Sequence, residues 1–179
     1  HVTNDIAHVL RTPLAEAEQL KVKQACAQSI SVKREEYINV PSTGDRAHRK
    51  LERHVLASIV EARYGELFEY IRDQLKATGL IDYLSAGVVL TGGAARIEGA
   101  VALAEGIFGL QVRLGVPNVR DQNNGEIVRN PLYATSVGLL MSGRDKMLER
   151  RVVATKRPKT LAGAEGIVQR LRAWLEKYF

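Results

Sequence analysis

The sequence predicts an α/β fold, and three observations carry that prediction. Residues 87–99, GVVLTGGAARIEG, run a short apolar strand into two adjacent glycines and then into helical pattern. A second strand, QVRLG at 111–115, follows once Gly109 has stopped that helix. Strand, helix, strand and helix joined by short loops mean helices laid on a sheet. Hydrophobic residues make up 45% of the 179, which is enough for a real core.

In chain order, helical pattern covers 3–21 and is interrupted at Thr12-Pro13. Thr12 suits a cap there and Pro13 the first helical position of the following LAEAEQLK. Residues 29–42, SISVKREEYINVPS, alternate around Lys33-Arg34-Glu35-Glu36 and read as a two-stranded ribbon, with a turn at Ser42-Thr43-Gly44-Asp45. From about Lys50 to Lys76 the positions Leu51, Val55, Leu56, Ile59, Val60, Leu67, Ile71 and Leu75 keep a three-to-four spacing. That spacing predicts one long amphipathic helix ending before Gly79. The strand at 87–90 and the glycine pair lead to a helix over about 97–108. DQNNG at 121–125 is an exposed turn, and NPLYATSVGLLMSG, 130–143, is a largely apolar helix with Pro131 in its first turn. Residues 144–163 lack periodicity and predict a flexible basic linker. Residues 1–23 and 84–143 thus form one lobe, and 24–83 a smaller insertion within it.

Composition narrows the function. One cysteine, Cys26, excludes an intrachain disulfide and fits a reducing compartment. No stretch approaches the roughly 18 apolar residues of a membrane span. The opening HVTNDIAHVL has no Met and no signal pattern, so the chain reads as a fragment whose upstream targeting information is invisible. The net charge of +6 sits entirely in residues 144–179, where ten basic side chains face four acidic ones. A neutral globular part with a basic tail is not the build of a nucleic-acid binder. His1, His8, His48 and His54 show no metal-ligand spacing among themselves or with Cys26. No Ser, His and Asp grouping stands out as a triad, so neither a metal site nor catalysis is expected.

The tail EGIVQRLRAWLEKYF, 165–179, is the most interpretable stretch. On a helix Ile167, Val168, Leu171, Trp174, Leu175 and Tyr178 share a face, with Phe179 beside them, while Arg170, Arg172, Glu176 and Lys177 lie off it. This pattern matches a helix lying in a membrane surface, and it fits a helix packed on its own domain about equally well. The basic linker before it favours the membrane, at about 1 kcal/mol per Lys or Arg near an anionic leaflet. A helix this short binds weakly alone, so attachment needs several copies acting together. A calmodulin-like target helix fits the same pattern without further support.

Two adjacent glycines cost backbone entropy, so residues 92–93 need either positive φ or close approach to the backbone. A tight strand-to-helix turn meets that need, as does a nucleotide lying against it. GGAARIEG is neither the dinucleotide fingerprint nor a phosphate loop. Its surroundings add more: GVVLTGG, IEGAVALAEGIFG, QVRLGVP and NPLYATSVGLL, with the opening TNDIAHVLRTPLAEAEQLK and the terminal helix, resemble in order and spacing the second half of the FtsA family. These are the actin-like bacterial proteins that tie the division protein FtsZ to the membrane, and the resemblance spans essentially the whole chain.

The resemblance implies an actin-like (ribonuclease H-like) lobe with the inserted subdomain at 24–83, and an adenosine-binding turn at Gly92, Gly93 and Ala94. It implies a Glu-x-x-Lys pair, Glu18 and Lys21, toward base and ribose. At i and i+3 the two share a helical face, and the alternative is a solvated ion pair. Arg96 falls where chaperone relatives carry an adenine-stacking arginine. The family's phosphate- and magnesium-holding turns are not found in these residues, so half a nucleotide site and no hydrolysis are expected of this chain. The resemblance further implies that 24–83 docks the acidic and apolar C-terminal tail of FtsZ. Arg63 is first choice, with Tyr64 beside it and Arg49, Lys50 and Arg53 as a second basic cluster, against the alternative of a solvated face paired with Glu61, Glu66 and Glu69. ATP with magnesium, self-association into actin-like polymers, other division proteins and the cytoplasmic face of the inner membrane at the division site complete the implied setting. A nucleotide-dependent enzyme of the actin and Hsp70 superfamily, or an actin-like pilus-assembly protein, is the alternative, but neither has use for the terminal helix.

Overall fold

Apolar residues one turn apart and the break at Thr12-Pro13 set the first two helices, α1 at Val2–Leu10 and α2 at Leu14–Gln24, which pack on each other through Ile6, Leu10, Ala17 and Leu20. The computed structural model describes residues 1–42, 47–118 and 129–156. Arg11, at φ 48°, reverses the chain after α1, and the Thr12 amide donates to the Ala7 carbonyl at 3.1 Å. Thr12 does not cap α2. Pro13 holds the N-cap position, and the Thr12 hydroxyl is buried with no partner among the described residues.

The ribbon differs from the one expected within 29–42. Ser29–Ser31 is a 3-10 turn, and β1 (Tyr37–Val40) pairs antiparallel with β2 (Arg49–Glu52), with Tyr37 opposite Glu52 and Val40 opposite Arg49. Ile38 and Val40 point into the core while Tyr37 and Asn39 face out, the alternation of a half-buried strand. Arg49 and Lys50 therefore belong to a strand, and the long helix α3 runs Arg53–Ala77. Its buried row is Leu56, Val60, Tyr64 and Phe68, spaced four apart. Phe68 meets the Tyr64 ring edge-on at 5.7 Å and the Phe108 ring at 5.9 Å. Leu67 and Ile71, expected on the apolar face, are exposed.

Strand β3 (Val88–Leu90) pairs in parallel with β4 (Val112–Leu114), and α4 (Ala100–Phe108) makes the crossover that parallel pairing requires. One cluster of buried side chains joins α1, α2, β1, α3, α4 and β4, so the core is unbroken at the expected boundaries 23/24 and 83/84. Residues 1–135 form one unit and 136–179 a second. After a 3-10 turn at Pro131–Tyr133, helix α5 runs Ala134–Lys156. The aperiodic linker expected from residue 144 is thus helical through Lys156. Residues 157–163, the turn at 121–125 and the whole of 164–179 lie outside the described residues.

Candidate functional site

The two glycines divide the work. Gly92 sits at φ +94°, which favours glycine, with open space where a Cβ would stand. Gly93 has ordinary helical φ of −62°, and a Cβ there would come within 2.9 Å of the Leu132 Cδ1. The first glycine makes the turn and the second makes room. Ala94–Arg96 then forms a 3-10 turn whose first carbonyl, that of Ala94, accepts from the Tyr64 hydroxyl at 2.8 Å.

This turn forms one wall of a cavity of about 760 Å³. Gly93, Ala94 and Arg96 line it on one side, with Glu18 and Lys21 of α2 and Thr3 of α1 among the other lining residues. Gly92 shapes the turn but is not itself on the wall. The sequence-predicted nucleotide residues, ~75 positions apart along the chain, therefore converge on one space. Lys21 Nζ donates to Glu18 Oε2 at 2.6 Å and to Thr3 Oγ1 at 2.9 Å, while the Thr3 hydroxyl donates to Glu18 Oε2 at 2.5 Å. Bonds from Lys21 and Thr3 hold the Glu18 carboxyl below its usual range and so keep it ionised. The Arg96 guanidinium makes no hydrogen bond or ion pair with a described side chain, leaving its planar face available. An ionised acceptor, an ammonium donor and a guanidinium around backbone that approaches closely fit a nucleoside's sugar hydroxyls and base.

Arg53, expected in the second basic cluster, lines this cavity. Its guanidinium donates to Glu36 at 2.7 Å, to Glu98 at 2.5 Å and to the Gln24 carbonyl at 2.8 Å, tying β1, α2 and the approach to α4 together. These two carboxylates raise its pKa against the opposing effect of burial. Arg49 donates to the Leu10 carbonyl, and Lys50 lies 4.3 Å above the Tyr37 ring. Successive strand residues point to opposite faces, so Arg49, Lys50 and Arg53 do not form the single basic cluster expected of them. Tyr64 is likewise corrected: at 5% exposure it is a core residue whose hydroxyl serves the Ala94 turn.

Arg63 lies on a second hollow of about 340 Å³ between α1 and α3, with Val9, Ile59 and Ala62 as apolar lining. It forms a two-pronged pair with Asp5, at 2.5 and 2.9 Å, and a third bond to Glu66 at 2.8 Å. The guanidinium holds the Asp5 carboxyl below its usual range. A depressed carboxyl adds stability that is whole above its unfolded pKa and is lost as pH falls through the folded one. The melting temperature should therefore fall as pH drops below about 4, and Asp5→Asn should flatten part of that fall. Thermal melts across the acid range check this, and parallel slopes would show the pair contributes nothing.

Residue signals in the sequence could have found Tyr64, because Leu56, Val60, Tyr64 and Phe68 are evenly spaced by four. Nothing marks Thr3 or Leu132, whose places depend on helix crossing and chain return. The residues expected to meet a membrane, Ile167, Val168, Leu171, Trp174, Leu175, Tyr178 and Phe179 on the apolar face with Arg170, Arg172 and Lys177 off it, lie outside the described residues.

With this geometry in place, comparison with solved structures defines the class. A crystal structure of MreB5 of Spiroplasma citri bound to ADP superposes with a TM-score of 0.54 at 16% identity, covering 79% of this chain and 45% of that one. The fold is that of an actin-like α/β protein. Residues 1–138 match the family described as cell division protein FtsA. The FtsA proteins of Pseudomonas aeruginosa and Escherichia coli are 44% and 39% identical over 99% of the chain, and that of Rhizobium meliloti is 31% identical over all of it. The chain belongs to the FtsA family, and it spans 43% of the length of the first two relatives and 41% of the third.

Proposed function

We propose that this chain is the adenosine-binding and partner-docking part of a cell-division adaptor. The observation that carries the reading is the convergence of Glu18, Lys21, Gly93, Ala94 and Arg96 on one cavity in a member of the FtsA family. ADP in the structurally similar MreB5 supports a nucleotide there. This chain contributes the adenosine side. The phosphates and magnesium of ATP fall to residues beyond it, so the chain alone is a binder and not a hydrolase.

The adaptor reading joins this cleft to two attachments. The C-terminal tail of FtsZ docks on the α1–α3 hollow, where Val9, Ile59 and Ala62 take its apolar residues and Arg63 takes its carboxylates. Residues 164–179 hold the cytoplasmic face of the bacterial inner membrane at the division site. Self-association as an actin-like polymer supplies the copies that such weak anchoring requires, and other division proteins join the same assembly.

A labelled FtsZ tail peptide, titrated by fluorescence anisotropy, tests the docking. In this reading Asp5 occupies Arg63 in the free chain and the tail displaces it. Asp5→Asn should therefore tighten peptide binding several-fold and Arg63→Ala weaken it by about tenfold, the scale of one hydrogen bond to a charged group. Both effects should shrink at high salt. Equal binding by all three chains would remove Arg63 from the receptor.

A further inference from the structure

We infer that Thr3 is a positioning residue that sets Glu18 so that the cavity recognises a nucleoside through its sugar hydroxyls. The inference rests on the adenosine reading of the cavity. An ion pair within α2 accounts for Glu18 and Lys21 by themselves, since residues three apart on a helix meet without outside help. It does not account for Thr3, which reaches them from another helix, fifteen residues before Glu18 and eighteen before Lys21.

The hydroxyl bonds in both directions. Its single proton goes to Glu18 Oε2, and its oxygen accepts from Lys21 Nζ. Both donors to the carboxylate, Thr3 and Lys21, meet Oε2, and Oε1 accepts no bond from a described residue. A glutamate on a helix surface ordinarily samples several rotamers at little cost. Here a donor on α1 and a donor on α2 fix one oxygen from two directions, which restricts where the other can be. The product is an ionised carboxylate with one satisfied and one open oxygen on the wall of a cavity with room for a nucleoside. A sugar hydroxyl supplies the missing donor. An analogue lacking that hydroxyl leaves the half-exposed carboxylate oxygen to water and so loses one hydrogen bond to a charged group, a moderate discrimination.

The test uses the whole 179-residue chain and the part of the ligand it is proposed to hold. Adenosine, 2′-deoxyadenosine and 3′-deoxyadenosine are titrated by nuclear magnetic resonance against the wild type, Thr3→Val and Thr3→Ser. The wild type is expected to prefer adenosine to at least one deoxy analogue by about tenfold. Thr3→Val keeps the side-chain shape, and it should bring that ratio to within about twofold while the melting temperature holds. Thr3→Ser should restore the ratio, and Thr3→Ala repeats the loss should valine disturb α1. A Thr3→Val chain that keeps the wild-type ratio overturns the inference, as does a wild type that binds all three alike. Those results leave adenosine binding standing. A wild type that binds none of the three overturns the adenosine reading itself, and the role of Thr3 with it.

Discussion

Gly87→Ala is expected to destabilise the chain by about 3 kcal/mol or more, from strained backbone and overpacking together. Gly87 sits at φ +81° immediately before β3, and a Cβ on it would lie 2.3 Å from the Gln111 carbonyl oxygen. That atom is backbone and cannot rotate away. It also accepts the Val88 amide at 2.8 Å, the hydrogen bond that opens the β3–β4 pairing. An alanine must therefore break the bond, move the strand or distort its own φ. Whichever gives, the shift enters a three-residue strand that ends two residues before Gly92, so the Gly92–Ala94 turn is displaced as well. Gly106→Ala is the matched control: Gly106 lies inside α4 with nothing within 4 Å of an added Cβ. It should be neutral or stabilising by up to about 1 kcal/mol, the propensity difference between glycine and alanine in a helix. Urea denaturation reads both variants. A Gly87→Ala midpoint equal to that of the wild type would mean the 2.3 Å approach relaxes at no cost.

The elements legible in the sequence were those with local punctuation. Pro13 separates α1 from α2, Gly109 ends α4, and the apolar run before the glycine pair is β3. What was not legible depended on partners far along the chain. Arg49-Lys50-Leu51-Glu52 has the composition of a helix start, and only its pairing with Tyr37–Val40 makes it a strand, because strand preference follows cross-strand packing more than intrinsic propensity. Residues 144–156 are helical without an apolar stripe to announce them. In the site, Glu18 with Lys21 and the Gly92-Gly93 pair were visible because each is a short-range pattern. Thr3 was not, because its contact requires α1 to cross α2. Arg53 looked like a surface cation until three acceptors from separate segments surrounded it. Tyr64 stands beside Arg63 in the expected tail receptor, yet it belongs to the buried four-spaced row, a membership settled by how α3 packs on the rest of the core.

The burial of Tyr64 makes its substitution the second large effect. Tyr64→Ala should cost about 3–5 kcal/mol, the range for removing a buried aromatic ring and leaving a cavity. The ring packs edge-on against Phe68, which meets Phe108 of α4, so the loss falls at the joint between α3 and α4. Tyr64→Phe removes only the hydroxyl. Burial has already pushed the phenol pKa up, so the group is a neutral donor at any ordinary pH. Its loss should cost about 1 kcal/mol, the net worth of one neutral hydrogen bond. The two variants separate two roles of one side chain. If the ring carries the fold and the hydroxyl holds the Ala94 carbonyl, Tyr64→Phe should lower adenosine affinity by more than its small stability change predicts, because a freed carbonyl lets the Gly92–Ala94 turn move. Tyr64→Phe binding adenosine as the wild type does would confine Tyr64 to the core. A Tyr64→Ala chain of wild-type stability would contradict its burial and return the residue to the surface role its sequence neighbours suggested.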